Sequence, residues 1–127
     1  MEKLFLFDID GTLIRTDGAG KRAFERAFLD LYGIKEAFKG IDMQGKLDRI
    51  IFNTALHCHG ISSNGNYDKF INLYIKYLEI EAKNVENWRI VNGAKEFLEK
   101  NIDNAFYTLL TGNIFEGARI KLTALKL

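Results

Sequence analysis

The chain has no proline and a single cysteine, Cys58, in 127 residues. One thiol excludes an intrachain disulfide framework and fits a reducing compartment. Without proline, the punctuation of loops falls to the 11 glycines and to Asn, Asp and Ser. An excess of either charge is also missing: 18 Lys and Arg against 17 Asp and Glu leave a net charge of +1. That balance excludes a global field drawing the chain to nucleic acid or to a membrane surface. No apolar run approaches the roughly 20 residues of a membrane span. The start lacks the basic region, long apolar stretch and cleavage site of a secretory signal. Repeats and low-complexity tracts are absent too. The expectation is one ordinary cytoplasmic domain, with 47% hydrophobic residues to supply its core.

The most informative stretch comes first. Leu4, Phe5, Leu6 and Phe7 are four consecutive large apolar residues, the pattern of a strand buried on both faces in a parallel sheet. The strand runs into Asp8, Ile9, Asp10, Gly11 and Thr12. Open α/β sheets present reactive groups at the C-terminal ends of their strands. Asp8 and Asp10 alternate along an extended backbone and so share a side. Gly11 permits a turn and a close approach of backbone to ligand. Of two such carboxylates, one suits a nucleophile or metal ligand and the other a proton donor or acceptor. Their hard oxygens also suit Mg²⁺. Capping of a following helix accounts for one aspartate but not for the pair.

Beyond Leu13 the period changes. Residues 16–20 carry turn and capping signals, and Phe24, Ala27, Phe28, Leu31 and Tyr32 then fall at helical spacing before Gly33. Lys21, Arg22, Glu25 and Arg26 lie off that stripe and face water. A second helix is expected from Leu47 or Asp48 to a point before Gly60. A third carries Phe70, Leu73, Tyr74, Tyr77 and Leu78 towards Lys83. Residues 15–85 therefore predict helices with no strand between them. His57, Cys58 and His59 invite a metal, but adjacent helical side chains diverge and the chain has no further Cys or His. A helix C-terminus favouring a cationic imidazole is the plainer account.

Residues 88–91 bring the chain back to the core, and Ala94, Phe97 and Leu98 mark a short helix. A second buried strand over 105–110 ends in Thr111, Gly112 and Asn113. A hydroxyl and free backbone N–H groups at the start of the next helix suit a phosphate oxygen. Capping by Thr111 or Asn113 is compatible with that role. The last helix places Ile114, Ala118, Leu122 and Leu125 on one face. Lys121, about two turns in, is expected on a solvated face.

The run Phe7–Asp8–Ile9–Asp10–Gly11–Thr12–Leu13 resembles the first motif of the haloacid dehalogenase-like (HAD) hydrolases. Leu109–Leu110–Thr111–Gly112–Asn113 resembles their second motif, in the form of the phosphoglycolate-phosphatase-like branch. The resemblance implies an α/β chain: a Rossmann-like parallel-sheet core from residues 1–14 and 86–127, with an inserted all-helical C1-type cap over 15–85. It implies Mg²⁺-dependent hydrolysis of a small phosphorylated metabolite through an aspartyl-phosphate. Asp8 is then the nucleophile and Asp10 the general acid/base, both also holding the metal. Gly11, Thr12, Thr111, Gly112 and Asn113 then bind phosphate. Residues 45–49 resemble the cap's substrate patch, with Leu47 where that branch often has threonine. There Gly45 and either Lys46 or Arg49 would meet an anionic substrate group, unless the segment is an ordinary solvated helix start.

Two parts of the family pattern are expected to be missing: the lysine of the third motif and the acidic pair of the fourth. Two carboxylates alone repel a phosphate dianion, and phosphate-ester hydrolysis leans on cations around developing charge. The chain is thus expected to be C-terminally truncated and weak or inactive alone, with a second chain as one possible source of the missing half. The alternatives are a phosphomutase on the same scaffold and a non-catalytic remnant acting as an interaction module.

Overall fold

A computed structural model describes residues 3–62, 65–100, 105–109 and 115–127, with the segments 3–6 and 105–109 described by their backbone. In chain order the elements are β1 (Lys3–Phe7), β2 (Ile14–Arg15), α1 (Ala19–Tyr32), α2 (Asp48–Cys58), α3 (Tyr67–Glu81), β3 (Arg89–Ile90), α4 (Ala94–Lys100), β4 (Ala105–Leu109) and α5 (Phe115–Ala124). No helix among the described residues is long and apolar enough to cross a membrane.

The two apolar runs do form strands, and they pair with each other. β1 and β4 are parallel neighbours, in register from Lys3 beside Ala105 to Phe7 beside Leu109. A parallel pair needs a crossover, and this one contains four of the helices. Both strands therefore end level, at one edge of the sheet. Phe7 meets Phe97 of α4 edge-on, with ring centroids 6.0 Å apart.

After Phe7 the chain tightens. Ile9 is fully buried, and its carbonyl accepts from the N–H groups of Thr12, Leu13 and Ile14 at 3.2, 2.9 and 3.1 Å. Gly11 donates to the Ile14 carbonyl at 2.8 Å, with a φ of 80° that disfavours any side chain. The chain leaves this loop as β2, which pairs antiparallel with β3. The sequence predicts no strand between residues 15 and 85, and the ribbon corrects this at its edge, since β2 ends at Arg15. A two-residue strand is too short to show a period of two.

The helices α1, α2 and α3 build the larger core. Phe24, Phe28, Phe52, Phe70, Tyr74 and Leu78 are buried in it, with ring centroids 4.4 Å apart for Phe24–Tyr74 and for Phe52–Phe70. The predicted stripe of α1 is the buried one, while Lys21, Arg22 and Arg26 are exposed. Gly33 ends α1 in a left-handed conformation, its N–H returning to the Leu29 carbonyl at 2.8 Å. A smaller core gathers Ile9, Leu13, Ile14 and Ala118.

Helix α5 touches both cores: Ala118 joins the smaller and Ile120 the larger. Its buried residues are Gly117, Ala118, Ile120 and Lys121. The expected stripe through Leu122 and Leu125 is only half-buried. A helix wedged between two cores has no single apolar face, so its period misleads.

Candidate active site

Asp8 and Asp10 sit at the end of β1, on either side of buried Ile9, and both open into one cleft. The strand ends at Phe7, so the two carboxylates reach the cleft from the loop that follows it and not by alternation along the strand. The backbone N–H of Ile9 donates to Asp8 Oδ1 at 2.8 Å. That bond orients the Asp8 carboxylate while the side chain stays exposed to the cleft.

The main correction to the sequence reading is Lys121. It is 4% exposed, and its Nζ lies 3.1 Å from both Oδ1 and Oδ2 of Asp10. The Asp10 side chain itself keeps 48% exposure, so one edge of the ion pair faces the cleft and the other is packed away. An ammonium is buried only where a partner offsets the cost of removing it from water. The expectation of a solvated lysine fails because α5 packs against α3 and brings the Lys121 side chain up to Gly20 of α1. Gly20 of α1 allows the approach: a Cβ there would stand 3.3 Å from Lys121 Nζ. Small residues at 117 and 118, one turn earlier on the same face, are the signal that marks this close packing.

The cleft has a volume of about 1180 Å³ and runs from the carboxylates to the helices. Gly11, Gly45 and Lys46 line it, together with Asp48 and Tyr74. Lys46 lies 4.0 Å from Asp42, both exposed. Asp48 is buried at the start of α2. Tyr74 is 1% exposed. Burial pushes its phenol pKa well up, and Asp48 and then Asp10 push it the same way.

Two expected site residues stand elsewhere. Arg49 lies over the Tyr67 ring, 4.8 Å from its centroid, and outside the cleft wall. Arg49 belongs to α2, whereas Lys46 precedes that helix, so helical spacing does not relate the two. Thr12 is exposed but also outside the wall; its backbone is turned inward onto the Ile9 carbonyl. Thr111, Gly112 and Asn113 lie outside the described residues. The residues absent from the sequence reading of the site are Arg15, Arg89 and Tyr74, together with Lys121, which it placed in water. His59, considered for a metal, has Nε2 2.8 Å from the Ala37 carbonyl.

For Mg²⁺ the donor set is oxygen from carboxylates, which suits a hard cation that keeps several waters and takes few protein ligands. Asp8 fits that role. The Asp10 carboxylate already receives an ammonium on both oxygens, which leaves it fewer lone pairs to offer a metal than Asp8 has.

The parallel pair, the carboxylate loop and the helical layer together define a haloacid dehalogenase-like fold. No protein-family model matches the chain, and no curated protein matches it in sequence. Solved structures do. A hydrolase from Pseudomonas syringae superposes with a TM-score of 0.76 at 24% identity, over 98% of this chain and 56% of that one. A protein from Haemophilus somnus 129pt named as a predicted phosphoglycolate phosphatase gives 0.64 at 19% identity, over 96% of this chain and 56% of its own. YfnB of Bacillus subtilis, named as a HAD-hydrolase and bound to magnesium, gives 0.52 at 14% identity, over 95% and 58%. At these identities the likeness is one of fold. The chain spans a little over half the length of each neighbour.

Proposed function

We propose that the chain carries the nucleophile, the acid/base and one catalytic cation of a Mg²⁺-dependent phosphate-monoester hydrolase acting on a small phosphorylated metabolite. The observation that carries the reading is the buried Lys121 clamped on Asp10 beside Asp8, in one cleft. The fold shared with a hydrolase and with a protein named as a phosphatase supports it.

Asp8 attacks phosphorus with Oδ2, because Oδ1 is held by the Ile9 N–H. The bond from phosphorus to the ester oxygen breaks, and Asp10 as the acid gives that oxygen a proton. Asp10 as carboxylate then takes a proton from water, whose oxygen attacks phosphorus and frees Asp8 and inorganic phosphate. Lys121 holds Asp10 in place through both steps and puts a positive charge beside the developing negative one. Asp8 would hold Mg²⁺, which would supply charge neutralisation for the phosphoryl group when bound. Residues 15–85 act as the cap over a core of 1–14 and 86–127, excluding water when closed. Thr111, two residues along the chain from Leu109, supplies a hydroxyl to the phosphoryl group, with Gly112 and Asn113 as N–H donors.

Phosphate release from a panel of phosphomonoesters, with Mg²⁺ and with chelator, tests the reading. Release is expected to need Mg²⁺ and to fall to background in Asp8→Asn. Equal release by the parent and Asp8→Asn overturns it. Phosphoryl transfer to a second sugar without net release identifies a mutase instead.

A further inference from the structure

The first turn of α1 lacks the common supports of a helix start. Its N-cap is Gly18, no side chain caps it, and no acidic residue stands in its first turn. Just before it, Asp17 and Gly18 are both left-handed, with φ of 55° and 79°. For Asp17 that conformation is costly and persists only where its surroundings hold it. One side chain does so. Arg22 donates through Nη1 to the Asp17 carbonyl and through Nε to Glu81 Oε1, the latter at 2.6 Å. A Cβ at Gly18 would stand 3.2 Å from Arg22 Nη1, so glycine leaves room for the contact. A single guanidinium thus joins the turn before α1 to the last residue of α3.

Neither Arg22 nor Glu81 lines the cleft, so neither is placed to touch a substrate there. What the first turn of α1 does meet is Lys121. A Cβ at Gly20, in that turn, would stand 3.3 Å from Lys121 Nζ. The Lys121 side chain is 5% exposed while that of its partner Asp10 is 48% exposed. Part of the cover over the ammonium is therefore this turn of α1. Helix α5 itself is held independently, by Ile120 in the larger core and by its packing against α3. Loss of Arg22 would loosen the first turn of α1 without releasing α5, and water would then reach the ammonium.

We infer that Arg22 is a positioning residue for Lys121. By holding the Asp17 carbonyl and the Glu81 carboxylate together, it fixes the first turn of α1 as the cover that keeps water off the Lys121–Asp10 ion pair. An ion pair shielded from water interacts more strongly and needs less reorganisation when charge develops beside it. The inference rests on the phosphatase reading for its bearing on turnover, but its test is a labelling measurement that needs none.

Lysine acetylation by N-hydroxysulfosuccinimide acetate, read residue by residue by mass spectrometry, compares the full chain with its Arg22→Gln, Arg22→Lys and Glu81→Gln variants. The exposed Lys69 and Lys100 serve as internal references. In Arg22→Gln the rate at Lys121, relative to those references, is expected to rise about tenfold. Arg22→Lys offers a point charge in place of a fork, and Glu81→Gln keeps a hydrogen bond but loses its charge, so each is expected to raise the rate by only about threefold. Amide exchange at Arg22 and Ala23 is expected to quicken in step, with that of Phe28 in mid-helix unchanged. A Lys121 rate that holds at the parent ratio while first-turn exchange quickens overturns the inference, because Arg22 then steadies only its own helix. Exchange that quickens equally at Phe28 overturns it too, since that marks a general loss of structure, and so do parent-like rates throughout. Equal phosphate release by the parent and Asp8→Asn overturns the phosphatase reading alone, leaving these labelling ratios to be judged separately.

Discussion

The ammonium of Lys121 is 3.1 Å from both carboxylate oxygens of Asp10, a residue 111 positions earlier in the chain. This contact ties the end of the described chain to the loop after the first strand. It makes α5 part of the candidate site rather than a covering helix, and it supplies a cation within this chain.

Replacing that cation is the most direct test of its role. Lys121→Met keeps the length of the side chain and removes its charge. Phosphate release is expected to fall on the order of a hundredfold, as when one preorganised donor to developing charge is lost. Stability is expected to change by no more than about 1 kcal/mol, because half-exposed Asp10 is left hydrated and methionine packs in the apolar part of the site. Unchanged release would remove Lys121 from the chemistry.

Gly20 allows a test without touching a charged group. An alanine Cβ there would lie 3.3 Å from Lys121 Nζ and 3.8 Å from Cε. The ammonium has to shift on Asp10. Gly20→Ala is therefore expected to lower phosphate release while holding or raising the thermal midpoint, since alanine is favoured over glycine in a helix by about 1 kcal/mol. A loss of both activity and stability would mean that the contact extends to backbone.

Alkali should loosen the helical layer through Tyr74. Burial raises its folded pKa well above the ordinary value near 10. A raised folded pKa means that the stability it contributes is fully present below the unfolded pKa. That stability is lost as pH rises from about 10 through the raised value. Chemical denaturation across that range is expected to show a steep decline in the parent and a shallower one in Tyr74→Phe. Parallel declines would show that Tyr74 does not govern it.

The larger core rests on its aromatic rings. Phe70 is fully buried and lies within 6.5 Å, centroid to centroid, of Phe24, Phe28, Phe38 and Phe52. Phe70→Ala is expected to cost about 3–5 kcal/mol, a large share of the roughly 5–15 kcal/mol that holds a domain folded. Phe97→Ala, at a ring that is 38% exposed, is expected to cost clearly less. Equal shifts in denaturation midpoint would contradict this division of the core.

The two parallel strands and the pair of aspartates were legible in the sequence because each is a local pattern. Leu4 to Phe7 are an unbroken apolar run in the sequence, and Asp8 and Asp10 follow it directly with one residue between them. Helices α1 and α3 were legible for the same kind of reason, an apolar stripe at one period. Arg49 lies off the cleft wall because it belongs to α2 and Lys46 to the loop before it, and nothing in five residues of sequence says which of the two faces the cleft. Lys121 was misread because its helix has buried faces on two sides.

The sequence by itself determined what each short segment does: a strand that ends in carboxylates, helices between two strands, and the residue types suited to a phosphate. Only the tertiary structure decided which distant groups meet. Lys121 closes on Asp10, and Arg15 faces Arg89 across a ribbon of two-residue strands. A period in the sequence reports that a segment has a buried side. It does not name the partner, because the partner is set by how α5 and the ribbon fit between two cores, and that fit involves the whole chain at once.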